Sequence, residues 1–451
     1  MSDQNASLRS QFQRSAASVA FFSSVSYGVD YSFQLVDIYW VARLGAGAPT
    51  AIAVVSSIFY LILSLNEIVG ASTVSVFSQT YGQGNTERTG VVIGQALLLK
   101  CCLAVLMCAA FWLFLRTGTG LYSTDDVTLA YLNSYGSVIW LSLLVVPLYS
   151  TSMTALRVIG KEASTAWISA MALALNVILN PILIFGAFGI EGGGIAGAAW
   201  ATVVAQATAW AAASIALLKN KRGIQFKVAS FRFEGKLYAD YLLIGLPLAG
   251  VMILFSLEQA VLTNVLTRYP ISVSDGFGIA SRIFGLLFML NFGLGLGASV
   301  GVGRYIGQNK IDIVKREIPR FVRRSALVMA LFSLPIALVP KLVMRLFTST
   351  TEVVDAGAAY LSFAAFVAVL FAVIYALSGV FEGAGRNTPV LLVSAVMYLV
   401  IEIPLIIIVA QFFTSSPNFL WACMLVASAF GAAGMIYVYK KSYWLDTQMR
   451  V

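Results

Sequence analysis

Apolar stretches of about 20 residues, the length an α-helix needs to cross a hydrocarbon core, follow one another along this whole chain. Twelve can be placed, near residues 14–40, 49–77, 90–115, 128–155, 163–187, 195–218, 238–266, 276–302, 322–346, 356–381, 388–412 and 418–439. A bilayer has no water to satisfy exposed backbone groups, so successive segments of this kind must be helices. The chain is therefore expected to be an all-α polytopic membrane protein. Composition agrees: 59% of the residues are apolar and 11% charged, against roughly a quarter charged in soluble domains.

The chain also repeats itself. Tyr81-Gly82-Gln83 recurs as Tyr305-Ile306-Gly307-Gln308, and Arg157-Val158-Ile159-Gly160-Lys161 has its counterpart in Glu382-Gly383-Ala384-Gly385-Arg386. Gly82 to Gly307 and Gly160 to Gly385 are the same step of 225 residues, half of 451. A shared offset points to two homologous halves, expected as an N-lobe over 1–225 and a C-lobe over 226–451, six helices each. An even number of spans per lobe makes the lobes parallel, a geometry expected to leave a central cavity between them. The polar connection from Lys219 to Asp240 is the natural linker.

Most of the 29 Lys and Arg residues fall in connections on one side of the membrane, among them Lys219, Lys221, Arg222 and Lys227, and Lys315, Arg316, Arg320, Arg323 and Arg324. Positive-inside then puts both termini in the cytoplasm, and the net charge of +9 is anchoring charge rather than a nucleic-acid surface. The polar start, Met1 to Gln13, lacks a cleavage pattern and is expected to lead into a retained helix. Cys101, Cys102, Cys108 and Cys423 all lie in apolar spans, so neither a disulfide framework nor a zinc site is implied. The absence of histidine removes imidazole catalysis, His-ligated metals and histidine relays. Gly192-Gly193-Gly194 lacks the Lys-Ser/Thr of a phosphate loop. No cofactor is expected, and the chain does not read as an enzyme.

Charged groups at mid-bilayer cost roughly 2.5–3.5 kcal/mol each on insertion scales, so those retained are candidates for function. Tyr27, Asp30, Gln34 and Asp37 fall on one stripe of the first helix, a stripe that must line water, protein or a ligand path. Burial and mutual repulsion both oppose ionisation of such acids, as proton binding and release require; pairing with a base such as Arg282 is the structural alternative. Glu67 beside Asn66, Glu258 beside Gln259, and Glu402 are further acids within spans, while Asn176 and Asn180 stand one turn apart in span five. Gly293, Gly297 and Gly301 recur every fourth residue, a spacing for close helix packing. Bends are expected at Pro147, Pro181, Pro247 and Pro404.

The segment Val36-Asp37-Ile38-Tyr39-Trp40-Val41-Ala42-Arg43-Leu44-Gly45 resembles the end of the first helix in the multidrug and toxic compound extrusion (MATE) family. The loop Tyr81-Gly82-Gln83-Gly84-Asn85, its partner Gly307-Gln308-Asn309, Leu175 through Pro181, Gly194 through Thr202, and Glu382 through Pro389 extend the likeness over nearly the whole chain. The resemblance implies twelve helices in two six-helix lobes around a V-shaped cavity, and export of amphipathic, often cationic compounds in exchange for H⁺ or Na⁺. It implies a coupling role for Asp37, with Asn176, Asn180 and Thr202 completing the same site and Na⁺ admissible there. A carboxylate common at the position of Asn180 is an amide here, and a proline usual in the first half of helix one is missing near Phe22. The lost carboxylate favours proton coupling; Asp30 could supply the missing charge. Another branch carries an acid in the seventh helix, which makes Glu258 a second coupling candidate.

The expected protein is thus an inner-membrane antiporter working as a monomer, with small organic molecules, H⁺ or Na⁺ and the lipid bilayer as partners. Tyr27, Tyr31, Gln34, Glu67, Met252 and Phe255 are candidates for lining the substrate cavity. A lipid-linked oligosaccharide flippase of the wider superfamily is the first rival, although its cavity should carry cations for pyrophosphate. A membrane enzyme or receptor is the second.

Overall fold

A computed structural model describes residues 2–45, 47–118, 126–219, 224–225, 230, 233–412, 416–442 and 444–445. Lys221, Arg222 and Lys227 of the midpoint linker lie outside the described residues. The helices run in order α1 (Ser2–Val41), α2 (Ala48–Leu63), α3 (Leu65–Gly82), α4 (Thr86–Thr117), α5 (Asp126–Ile139), α6 (Ser142–Val158), α7 (Glu162–Phe185) and α8 (Gly194–Lys219). The second half holds α9 (Gly235–Leu266), α10 (Ile271–Gly307), α11 (Ile311–Leu338), α12 (Pro340–Arg345), α13 (Thr351–Ala384), α14 (Thr388–Ala395), α15 (Ile403–Phe412) and α16 (Asn418–Lys440). A π-helical turn, Val396–Glu402, joins α14 to α15. Strands β1 (Gly186–Ala187) and β2 (Ile190–Glu191) form a two-residue antiparallel ladder between α7 and α8, and the Gly192–Gly194 run closes it.

Among the described residues nine helices are long and apolar enough to cross a membrane, counting α14 through α15 as one. The pairs α2–α3 and α5–α6, bent by 47° and 44°, raise the number to 11. Helix α1 is long enough, but serines, tyrosines and three aspartates interrupt its apolar character.

The two measured breaks do not fall at the expected prolines. One lies at Ser64, and the other at Trp140 and Leu141, where Leu141, Leu143 and Leu144 donate only three residues back. Pro147, Pro181 and Pro247 sit within continuous helices. Pro404 acts locally: it has no N–H to give, and just before it the N–H of Ile403 reaches five residues back to the Tyr398 carbonyl, the signature of the π turn.

Backbone geometry carries the repeat more faithfully than side chains do. The N–H of Gly84 bonds the Tyr81 carbonyl, and 225 residues on the N–H of Asn309 bonds that of Ile306. Both turning residues are left-handed, Gly84 at φ 77° and Asn309 at φ 58°; Gly and Asn are the residues that adopt this region at least cost. Gly160 at φ 82° and Gly385 at φ 76° form the second matched pair. After them Lys161 donates to Leu156 and Arg386 to Phe381, again in register.

The chain forms two compact units, Met1–Ser24 with Leu246–Arg450, and Val25–Gly245. In the first, α10 and α13 make the central pairing, with α11 and α16 against α13. The opening half of α1 is tied in as well: Gln13 donates to the Glu317 carbonyl (2.9 Å), Arg304 to Ser15 Oγ (2.7 Å) and Tyr305 to the Leu8 carbonyl (3.0 Å). Gly293 and Gly297 leave no room for a Cβ, which would strike Ser24 and the Ala16 carbonyl. In the second unit α8 packs on α5, α6 and α7. The start of α9 belongs here: a Cβ on Gly245 would strike the Ile68 carbonyl, Tyr241 donates to the Val92 carbonyl (2.7 Å), and Arg88 pairs with Glu234 (2.9 Å).

Candidate functional site

Three helices of the Val25–Gly245 unit converge on one carboxylate. Asp37, in the last turns of α1, is 6% exposed. Thr202 on α8 donates its hydroxyl to Oδ2 at 2.8 Å. From α7, Asn180 and Asn176 donate to Oδ1 at 3.0 and 3.3 Å. The amides are one turn apart and so present to the same side of α7. Asn180 also donates to the Asn176 carbonyl (3.0 Å) and Asn176 to Thr202 Oγ1 (3.2 Å), which fixes the amides. All of these donors are neutral. Both side-chain amide oxygens, Asn176 Oδ1 and Asn180 Oδ1, are left buried without a hydrogen-bond partner.

A buried acceptor without a partner costs on the order of 1–3 kcal/mol, and two beside a carboxylate are the donor chemistry of a hard cation. Asp37, Asn176, Asn180 and Thr202 together offer oxygen ligands fit for Na⁺, while Asp37 alone suffices for a proton. Among the described residues no group of three or more His, Cys, Asp or Glu side chains could hold a metal. Tyr60 and Tyr135 lie within electrostatic reach of Asp37.

Asp30 belongs to a separate cluster. Half-buried, it accepts from the Tyr149 hydroxyl at 3.4 Å, and Tyr149 shares a 2.9 Å hydrogen bond with Ser169. The buried guanidinium of Arg157 acts on Asp30 and lies 5.1 Å from the ring of Tyr27. Gln34 is exposed and bonded to Tyr60, so the polar stripe of α1 divides among different partners. Glu67, also exposed, accepts from Asn66 at 3.2 Å and acts on Lys100, whose buried ammonium donates to Ser150 Oγ at 3.2 Å. Tyr31 is half-buried.

Glu258 lies in the other unit, 1% exposed, accepting from its neighbour Gln259 at 2.8 Å. Met252 is half-buried, and Phe255 stacks on Phe288 with ring centroids 5.6 Å apart.

Tyr149, Ser169 and Arg157 are the members of these clusters that sequence reasoning missed. The signal was present: Tyr149-Ser150-Thr151-Ser152 is a polar run inside an apolar span. Arg157 reads as a loop residue before Gly160, but α6 continues to Val158 and turns it inward.

Two homologous helical halves, each bearing buried polar groups within membrane spans, define a polytopic membrane carrier. The MatE family model matches residues 23–182 and 247–408, one block in each half. The chain belongs to this family of multidrug efflux transporters, which are not enzymes. It is similar to the probable multidrug resistance protein YoeA of Bacillus subtilis strain 168, 26% identical over 63% of this chain and 62% of that protein's length. It is likewise similar to the probable multidrug resistance protein NorM of Oceanobacillus iheyensis, 25% identical over 90% of this chain and 92% of the relative. In fold it matches a solved outward-facing conformation of a multidrug resistance MATE family transporter of the MOP superfamily, with TM-score 0.88, 18% identity and 97% of both chains covered.

Proposed function

We propose that the protein exports amphipathic organic cations by antiport, binding H⁺ or Na⁺ at Asp37 in exchange. One observation carries this reading: a buried carboxylate held only by neutral donors, beside two amide oxygens that lack partners. Such a carboxylate is poised to gain a positive charge and lose it again. Thr202 and Asn180 keep it oriented, and the unpartnered oxygens turn toward a cation when one is bound. Neutralising Asp37 alters its hydrogen-bond demand on α7 and α8. That change is the coupling step: cation entry weakens retention of the organic substrate, and substrate entry weakens that of the cation. Moving one charge through 100 mV supplies about 2.3 kcal/mol, a concentration ratio of a few tens-fold.

The buried cations of this unit, Arg157 and Lys100, each lie near an acid. That balance favours cationic cargo over a pyrophosphate-linked lipid. Tyr27, Tyr31, Gln34, Glu67, Met252 and Phe255 are proposed to contact cargo, Asp30 and Glu258 to share in coupling, and both termini to lie in the cytoplasm.

The test is transport of a fluorescent organic cation by the purified protein in proteoliposomes, under H⁺ and Na⁺ gradients imposed separately. The parent should respond to at least one gradient and Asp37→Asn to neither. Full gradient-driven transport by Asp37→Asn would sink the reading.

A further inference from the structure

The exposed face of α11 changes character partway along the helix. Lys315, Arg316, Arg320, Arg323 and Arg324 are exposed on its early turns, and Leu327, Val328, Leu331 and Phe332 continue the same face. Their i, i+1, i+4, i+5 spacing keeps them on one winding stripe. Asp312, at the helix start, is the one acid exposed on α11. Two of the bases are held in place from within. Glu317, 1% exposed, accepts from Arg320 Nη1 through Oε1 at 2.6 Å and from Gln13 Nε2 through Oε2 at 3.1 Å. Gln13, buried on the opening half of α1, also donates to the Glu317 carbonyl at 2.9 Å and accepts from Arg324 Nη1 at 3.0 Å. A guanidinium has five N–H donors, so most of those on Arg320 and Arg324 are left for another acceptor, and the Arg320 side chain stays 56% exposed. Lys315, Arg316 and Arg323 make no ion pair among the described residues.

Basic residues that only anchor a helix at the membrane surface need no interior partner, and a buried carboxylate is costly unless it is paired. Glu317 and Gln13 therefore act as a clamp that presents two guanidinium forks, one turn apart, just before the stripe turns apolar. Planar forks of this kind match the oxygens of a phosphodiester in paired hydrogen bonds. A soluble phosphate would use the forks and leave the apolar part of the stripe idle, whereas a lipid uses both. We propose that this face of α11 is a binding site for an anionic phospholipid. Arg320 and Arg324 hold its phosphodiester, Lys315, Arg316 and Arg323 add attraction around the headgroup, and the acyl chains lie along Leu327, Leu331 and Phe332. Because Gln13 belongs to the clamp, the lipid sits where α11 is fastened to the start of α1.

The test is native mass spectrometry of the full-length protein in detergent, titrated with dioleoyl phosphatidylglycerol and, separately, with dioleoyl phosphatidylcholine. The parent should bind the anionic lipid more tightly. Arg320→Gln combined with Arg324→Gln should weaken that binding about 30-fold, since a basic residue near a lipid surface contributes on the order of a five-fold gain in affinity. Lys440→Gln combined with Lys441→Gln removes as much charge from the end of α16 and should leave it unchanged. Arg320→Lys keeps the charge but loses the fork, and should weaken binding a few-fold. The sign of the Glu317→Gln effect discriminates most sharply: the variant is more positive than the parent, so diffuse attraction would tighten binding, whereas a loosened clamp should weaken it a few-fold. Gln13→Leu alters no charge and should weaken binding as well, which keeps the clamp testable if Glu317→Gln folds poorly. Glycerophosphoglycerol, the headgroup without chains, should not displace the lipid at equal concentration. Asp37→Asn should bind lipid as the parent does, so this site and the transport reading fail independently. Equal affinity of the parent for both lipids, equal losses in the two double variants, tighter binding by Glu317→Gln, or full displacement by glycerophosphoglycerol would overturn the proposal.

Discussion

Asp37 and Glu258 are both acids buried in membrane helices, yet their surroundings differ. Asp37 is given three neutral donors, two on Oδ1 and one on Oδ2. Glu258 is given a single donor, Gln259 on Oε2, and its Oε1 is buried without a hydrogen-bond partner. Three donors from two other helices fix the orientation of Asp37, whereas the donor to Glu258 is the next residue of its own helix.

The comparison can be broken most forcefully at Asp37. Replacing it by Asn should cut gradient-driven transport about 100-fold or more, since removing one partner from a buried charged network costs roughly 3–5 kcal/mol. Initial rates in proteoliposomes measure this. Thr202→Val removes the shortest donor and should weaken cation dependence about 10-fold or somewhat more, as hydrogen bonds to charged groups are worth about 1.5–3 kcal/mol, with Thr202→Ser restoring it; the half-saturating cation concentration is the readout. Asn180→Asp sharpens the contrast by adding a second carboxylate beside Asp37. It should raise apparent Na⁺ affinity about 10-fold, the worth of roughly 1.4 kcal/mol, and make transport more sodium-dependent; a variant with unaltered sodium dependence would mean that these residues do not hold the cation. The smallest change is expected of Tyr149→Phe. Its 3.4 Å contact to Asp30 is long, so transport should fall only a few-fold, in keeping with a neutral donor worth about 1 kcal/mol.

The spans, the two halves and the gathering of Asp37, Asn176, Asn180 and Thr202 were legible in the sequence. Hydropathy sets the spans, and a constant offset exposes the repeat even where side chains differ. The four-residue cluster was reached through likeness to a family rather than from spacing. What spacing could supply was the stripe Tyr27, Asp30, Gln34 and Asp37, and here it fell short. A helical stripe predicts which residues share a face of one helix but not which neighbours rotate against each of them. Asp30 therefore met Tyr149 and Arg157, Gln34 stayed exposed, and only Asp37 reached α7 and α8. Proline positions misled in a similar way. A missing N–H marks where a helix can be deformed, whereas the breaks at Ser64 and Trp140–Leu141 arise where the chain makes local three-residue turns without proline.

The boundary of the sequence repeat and the boundaries of the packed units do not coincide. Cutting the gene midway, after residue 225, would strand the Gln13, Ser15 and Ser24 contacts on one polypeptide and the Gly245 and Tyr241 contacts on the other. Neither half-gene product would contain a whole packing unit, so each should be recovered intact only when both are made in the same cell.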